Sequence, residues 1–201
     1  MNEPSTSAAS PLPRSPELMS PDDTALWVVD VQGELVALVP NHPRSVWSIR
    51  RLVDGADVVG VARAGTEQYP QGLGPTVPEL AAKLGPCVTK TTFSCGECGD
   101  LFRDWIAAGR RKVLVCGIEA HVCVQQTAFD LMTHGFRVYL AVDAVGSRFD
   151  VDYQTALRRM ETCGAVLTTT EAALFEWCIR AGTPQFKQIS ALVKETMNDE
   201  G

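Results

Sequence analysis

The sequence predicts an α/β fold, a three-layer sandwich in which a six-stranded parallel sheet lies between helices. The prediction rests on a length that suits one domain, on the lack of an internal repeat, and on the alternation of apolar and helical segments. The chain has 201 residues, and one domain commonly holds about 100 to 200. Strands that alternate with helices form right-handed β-α-β units, which place the strands parallel to one another.

In the first half of the chain, an apolar segment that ends in an acid defines the first strand. ALWVVDV (25–31) is short and almost continuously apolar, as expected for a strand buried on both faces. The elements predicted after it are a helix at about 44–54, a second strand DVVGVA (57–62), a Gly/Pro-rich loop at 63–80 with a helix resuming near Pro78, and a short strand CVTK (87–90).

In the second half, KVLVC (112–116) is the clearest strand, and an amphipathic helix follows it at 121–135, closed by Gly135. A helix at 100–108 precedes this strand and ends at Gly109. The remaining predicted elements are a strand at 136–144, a helix at 151–163, a strand at 165–169, a helix at 171–180 and a short outer helix at 184–195.

The first 21 residues are rich in Ser and Pro and are predicted to form a disordered tail, so that one domain spans 22–201. The tail has no apolar central stretch, which argues against a secretory signal. A degenerate mitochondrial transit peptide is an alternative, although Arg14 stands alone there against Glu3 and Glu17. No apolar run reaches the ~18 residues of a membrane helix.

The net charge bears on which partners the protein can bind, and the cysteines bear on the cellular compartment in which it is found. A net charge of −6 argues against binding to nucleic acid or to an anionic membrane. The seven cysteines are an odd number, and without a secretory signal they are expected to be reduced thiols in the cytoplasm. Most of them are expected to be small core residues.

Three polar residues follow predicted strands and are therefore candidates for a site. Asp30 ends the first strand, Lys90 ends the short strand at 87–90, and Cys123 follows the strand at 112–116 after the turn GIEAH. Ligands of open parallel sheets bind outside the carboxyl ends of the strands, where the strand order switches. We therefore expect these three side chains at one edge of the sheet.

Cys123 is the candidate nucleophile because it lies in the first turn of the predicted helix 121–135. Unpaired N–H groups in that turn, with a cation such as Lys90 nearby, are expected to lower the pKa of the thiol. A carboxylate such as Asp30 can accept the thiol proton and return it to a leaving amine. On position alone, a buried structural cysteine on an apolar helix face is an equal alternative.

The spacing of His, Cys and Gly residues gives less support to a Cys–His dyad, a zinc site, a redox pair or a phosphate-binding loop. His121 is two residues from Cys123, so on a helix it points away from the thiol, which argues against a Cys–His dyad. Cys95 and Cys98 form a single C-x-x-C, whereas a structural zinc needs four ligands. A redox role for this pair stays open. The Gly-rich loop at 65–74 lacks a phosphate-binding pattern, and it is expected to form a pocket wall instead.

The chain resembles the isochorismatase-like cysteine hydrolases in several stretches. These are D-x-Q at 30–32, K-T-x-F-S at 90–94 and GIEAHVCVQQTAFDL at 117–131. Further similarity, to the subgroup of isochorismatase domain-containing proteins of the second type, lies in TEQYPQGLGPTVPEL (66–80), VDAVGSR (142–148) and TPQFKQI (183–189). The similarity covers about residues 22–195, and it implies the isochorismatase-like hydrolase fold.

The resemblance implies a catalytic triad of Asp30, Lys90 and Cys123, and a non-proline cis peptide at Ile118–Glu119. It also implies an oxyanion hole made by the backbone N–H groups of Glu119 and Cys123. The expected contacts to substrate are Gln32, Gln68, Tyr69 and Phe93. Family members form dimers or larger closed assemblies, so a homo-oligomer is expected.

Two departures from the family pattern narrow the expected activity. The stretch ARAGTEQYPQG (62–72) has neither the His nor the Asp of the nicotinamidase metal site, so no metal or other cofactor is expected. A cysteine at the nucleophile position favours cleavage of an amide-type C–N bond in a small molecule through a thioester. The alternatives are hydrolysis of another small substrate of the isochorismatase type, and a catalytically idle scaffold or interaction protein.

Overall fold

The computed structural model describes residues 13–197, and within this range six parallel strands form one sheet with the order β3-β2-β1-β4-β5-β6. The strands are β1 (Thr24–Val29), β2 (Ala62–Gln68), β3 (Val88–Lys90), β4 (Lys112–Ile118), β5 (Arg137–Gly146) and β6 (Val166–Thr168). The predicted parallel α/β sandwich is therefore confirmed. The strand order reverses between β1 and β4, which places the switch point in the middle of the sheet.

Helices cover both faces of the sheet and make three layers. The helices are α1 (Gly33–Val36), α2 (His42–Val59), α3 (Pro70–Leu73), α4 (Pro78–Leu84), α5 (Gly99–Ala107), α6 (Gln125–Thr133), α7 (Asp150–Thr162), α8 (Thr170–Cys178) and α9 (Pro184–Lys194). One core joins α2, α8 and α9 to one face, and a second core joins α5, α6 and α7 to the other. Within residues 13–197, no helix has the length and apolarity to cross a membrane.

The second strand lies later in the chain than the sequence predicts. The apolar residues Val58 and Val59 end helix α2, and Gly60 then takes the left-handed conformation (φ 79°) that ends it. Strand β2 occupies 62–68, which was predicted to be loop. Its residues are small and polar, yet they form a strand because β1 and β3 pair with both of its edges.

The segment before residue 22 packs against the domain as far back as the structure describes it. Met19 is fully buried, and the guanidinium of Arg14 donates to the carbonyls of Met19 (2.6 Å) and Glu176 (2.7 Å). The packed chain therefore begins before the predicted boundary at residue 22. Residues 1–12 of the predicted tail lie outside the described residues.

The two central strands approach each other most closely where the site begins. Gly117 of β4 pairs with Val29, the residue before Asp30. Gly117 has a φ of 125°, and a Cβ atom there would lie 2.0 Å from the carbonyl oxygen of Val29. Only glycine fits this position, and it sets the backbone of β1 at the point where Asp30 leaves the sheet.

We expect Gly117→Ala to destabilise the protein far more than Gly60→Ala. Both positions have positive φ, but the space around Gly60 is empty, so the control measures the backbone strain alone. The difference between their free energies of unfolding in urea should be at least about 2 kcal/mol, because the added methyl group forces β1 and β4 apart. Equal losses would contradict the close approach.

Candidate active site

Asp30 lies at the carboxyl end of β1 and is completely buried. Its φ of 50° turns the chain out of the sheet and directs the side chain across the ends of the strands. The hydroxyl of Thr66 on β2 donates to Asp30 Oδ1 (2.8 Å), and the Asp30 N–H donates to the Thr66 carbonyl (3.1 Å). Neighbouring strands thus hold both the backbone and one carboxylate oxygen of Asp30.

Lys90 is the last residue of β3, and its ammonium group reaches back to Asp30. Its Nζ donates to Asp30 Oδ2 (2.6 Å) and to Gln68 Oε1 (2.9 Å). It also contacts the carbonyls of Thr92 (3.2 Å) and Phe93 (2.9 Å). Neither charged side chain is exposed to solvent. A buried ion pair is retained only when such additional hydrogen bonds satisfy its remaining groups.

Cys123 lies in a π-helical turn, Ala120–Val124, which leads into α6, and only 4% of its surface is exposed. Burial raises the pKa of the Cys123 thiol, and the negative charge of Asp30 raises it further, whereas Lys90 lowers it. The expected lowered pKa is therefore wrong, because burial penalises the thiolate. The structure does bring Asp30, Lys90 and Cys123 together, and both burial and the charge of Asp30 act against the thiolate form.

The turn before Cys123 places the backbone N–H groups of Glu119 and Cys123 beside the thiol. The peptide bond between Ile118 and Glu119 is cis. The Glu119 carbonyl accepts from Val122 (3.1 Å) and Val124 (3.2 Å) but not from Cys123, which lies between them. Within residues 13–197, the Glu119 N–H has no acceptor. A backbone N–H without an acceptor, next to a thiol, is a donor of the kind that an oxyanion hole requires.

The side chains of this turn are held by the end of β5. Glu119 Oε1 accepts from the backbone N–H and from Nε of Arg148, both at 3.1 Å. His121 Nδ1 lies 3.0 Å from the hydroxyl of Ser147. The imidazole is therefore engaged on the β5 side of the turn, away from Asp30, as expected for a residue that forms no dyad with Cys123.

The four predicted substrate contacts fall into two groups. Gln32 and Gln68 are buried, and Gln32 bonds to the Gln68 N–H (2.7 Å) and carbonyl (3.0 Å) and to the Gly74 carbonyl (2.6 Å). These bonds use both amide hydrogens of Gln32, so this side chain fastens the loop after β2 instead of facing a ligand. Tyr69 and Phe93 are each 54% exposed, at the carboxyl ends of β2 and β3.

Cys95 and Cys98 form a buried 3₁₀ turn between β3 and α5. Both are free thiols, and burial raises the pKa of Cys95 to about 12 and also raises the pKa of Cys98. A raised pKa is the opposite of what a reactive redox pair needs. Among the described residues, no group of three or more His, Cys, Asp or Glu is placed to hold a metal ion.

Two residues that the sequence analysis did not select support the ion pair. Thr66 binds Asp30 directly, and it could be found only once β2 was correctly placed. The carboxylate of Glu97 accepts from the N–H groups of Thr91 (2.9 Å) and Thr92 (3.0 Å). It thereby shapes the loop whose carbonyls contact Lys90.

Comparison with known proteins finds similarity over most of the chain. The family model of the isochorismatase domain matches residues 24–172. Isochorismatase domain-containing protein 2 of Macaca fascicularis is 40% identical over 181 residues, which cover 90% of this chain and 88% of that protein.

Two solved structures share the fold. The MAR1 ribonuclease of Caenorhabditis elegans is 36% identical, with a TM-score of 0.83 over 92% of this chain and 96% of that chain. The YcaC gene product of Escherichia coli, described as an octameric hydrolase of unknown specificity, has a TM-score of 0.80 over 90% of this chain and 92% of its own. Its 22% identity supports the fold alone.

We expect Thr66→Val to destabilise the protein by about 1–3 kcal/mol, because it leaves a buried carboxylate oxygen without its hydrogen bond. Thr66→Ser keeps the hydroxyl and is the matched control. The free energy of unfolding in urea measures both. If the serine variant loses as much free energy of unfolding as the valine variant, the hydrogen bond to Asp30 is not the cause of the destabilisation.

We expect Asp30→Asn to shift alkylation of Cys123 to lower pH. Alkylation requires the thiolate, and removal of the negative charge lowers the pKa of the thiol that Asp30 now raises. Lys90→Met should shift the profile to higher pH. The rate with iodoacetamide at each pH is followed by peptide mass spectrometry, with exposed Cys163 as the internal control. An unchanged profile in both variants would show that neither charge acts on the thiol.

Proposed function

Since this chain belongs to the isochorismatase family, we propose that it is a hydrolase that uses Cys123 to cleave an amide-type C–N bond in a small molecule. The observation that carries the proposal is the buried Asp30 carboxylate, which acts on the Cys123 thiol while it is paired with Lys90. A buried carboxylate next to a thiol with a raised pKa is placed to take its proton when the sulfur attacks.

In the first half of the reaction, Asp30 accepts the proton of Cys123 as the sulfur attacks the carbonyl carbon of the substrate. Since burial and the charge of Asp30 raise the pKa of the thiol, the transfer accompanies the attack and no standing thiolate is needed. Negative charge then develops on the carbonyl oxygen. The backbone N–H groups of Glu119 and Cys123 would stabilise this charge as an oxyanion hole.

In the second half, Asp30 returns its proton to the leaving nitrogen, the C–N bond breaks, and a thioester to Cys123 remains. Asp30, again ionised, takes a proton from water, which attacks the thioester carbon and releases the acid and the thiol. Lys90 keeps its charge throughout, and its bonds to Asp30, Gln68 and two carbonyls hold the carboxylate in place. No cofactor takes part in these steps.

The site suits a small substrate. Cys123 is almost completely covered, and the half-exposed rings of Tyr69 and Phe93 follow β2 and β3 at the same edge of the sheet, where a ligand or a second subunit can contact them. The C. elegans relative is described as a ribonuclease. A net charge of −6 and a buried nucleophile do not favour RNA here, so RNA is a control substrate in the experiment below.

We also propose that the chain forms a homo-oligomer in the cytoplasm. The E. coli relative is described as octameric. In this chain Phe149 and Val151 are 62% and 71% exposed at the carboxyl end of β5, on the same edge as Tyr69 and Phe93. Apolar side chains at one edge are typical of surfaces covered by a partner. Free cysteines fit a reducing compartment.

We expect the protein to release ammonia or an amine from one member of a panel of small amides and ureides, with vinyl ethers, esters and RNA as other classes. Cys123→Ser should lower kcat by at least about 10³-fold, because a weaker nucleophile replaces the thiol. Intact-mass spectrometry of the quenched reaction should find one acyl group on Cys123. Cys95→Ser is the matched control and should keep both signals.

Turnover by the Cys123→Ser variant, or an acyl group on Cys95 instead, would contradict the assignment of the nucleophile. Turnover of vinyl ethers without an acyl-enzyme would favour isochorismatase-type hydrolysis, and cleavage of RNA would favour the activity named for the C. elegans relative. No turnover of any class, with no adduct on Cys123, would favour a scaffold that has kept the fold.

A further inference from the structure

A cavity of about 340 Å³ lies between the start of α2 and the end of β5, apart from the proposed active site. Its size is at the lower end of the range for small-molecule sites. Strand β4, which carries the Cys123 turn, lies between β5 and β1 in the sheet. The cavity and the Asp30–Lys90 pair therefore flank this turn on opposite sides, and the proposed hydrolysis does not use the cavity.

The wall formed by α2 supplies a cation and neutral polar groups. Asn41, Arg44 and Ser45 line it. Within residues 13–197, the side chains of Asn41 and Arg44 make no hydrogen bond or ion pair. Ser45 is 8% exposed, and its hydroxyl is not hydrogen-bonded within that range either. A hydroxyl without a protein partner at a cavity surface is a group that a bound ligand can hydrogen-bond.

The opposite wall, formed by the end of β5 and the start of α7, is acidic. Asp143 and Asp150 line it together with Arg148. Arg148 is already paired with Glu119, which offsets its charge. Asp143 uses one oxygen to accept from the Thr170 N–H (2.8 Å), and no described residue bonds to its other oxygen. The cavity is thus positive on one side and negative on the other.

We propose that this cavity binds a small zwitterion of the amino-acid class. The carboxylate of the ligand pairs with Arg44 and takes hydrogen bonds from Asn41 and Ser45, and its ammonium group pairs with Asp143 and Asp150. A dianion such as phosphate is disfavoured, since the two carboxylates would repel it. Charge-assisted bonds at both ends give a ligand with two opposite charges an advantage over one with a single charge.

A ligand in this cavity would contact residues that support the turn carrying Cys123. Arg148 and Ser147 line the cavity, and they are the residues that bind Glu119 and His121 of the Cys123 turn. A ligand that moves either residue changes the support of the turn that carries Glu119 and Cys123. The site therefore connects to the proposed active site through side chains that both share.

The test is isothermal titration calorimetry with Cys123→Ser protein, so that hydrolysis does not enter the result. The probes are glycine, β-alanine and γ-aminobutyrate, which differ in the spacing of their charges, with butyrate and butylamine as single-charge controls. One amino acid should bind saturably, about tenfold more tightly than either control. Arg44→Ala should weaken that binding by about tenfold or more. Arg158→Ala, which removes an exposed arginine outside the cavity, should not.

Several outcomes would overturn the proposal. These are no saturable binding of any amino acid, binding of butyrate or butylamine as tight as that of the best amino acid, and equal weakening by Arg44→Ala and Arg158→Ala. Circular dichroism checks that both variants are folded. Because Cys123→Ser protein is used, a negative result bears on this cavity and leaves the proposed hydrolysis to its own test.

Discussion

The buried ion pair between Asp30 and Lys90 is the interaction on which the site depends. Moving two charges out of water costs several kcal/mol for each ion, and their attraction offsets this cost only when further hydrogen bonds complete the shell. Thr66 binds one oxygen of Asp30, and Gln68 and two carbonyls bind the ammonium of Lys90. The pair therefore joins the ends of β1, β2 and β3 into one rigid edge.

This arrangement also determines the state of the nucleophile. Burial and the negative charge of Asp30 both raise the pKa of Cys123, while Lys90 offsets part of the effect. A protein with Lys90 alone beside the thiol would favour a standing thiolate, which any electrophile or oxidant can attack. A thiol beside a paired carboxylate is instead activated only when a substrate is in place, and the turn at Glu119 then supplies backbone N–H groups.

Much of the sheet and of the candidate site could be predicted from the sequence. Buried strands appear as apolar runs, and candidate residues are sought just beyond the carboxyl ends of those strands. The strands β1 and β4, and the positions of Asp30, Lys90 and Cys123 beyond strand ends, follow from these two rules. Strand β2 could not be found, since its small polar residues are strand only because two neighbours pair with it. The direction of the Cys123 pKa shift needed the burial of the thiol, and the loop-fastening role of Gln32 needed its hydrogen-bond partners.

The most direct test of the central ion pair is a double-mutant cycle with Asp30→Asn and Lys90→Met, measured as free energy of unfolding in urea. Each single variant leaves a buried charge without its partner, so its free energy of unfolding should fall by about 3–5 kcal/mol. The double variant removes both charges, so it should lose less than the sum of the single losses by at least about 1 kcal/mol. Additive losses would show that the two charges do not support each other, and would contradict this account.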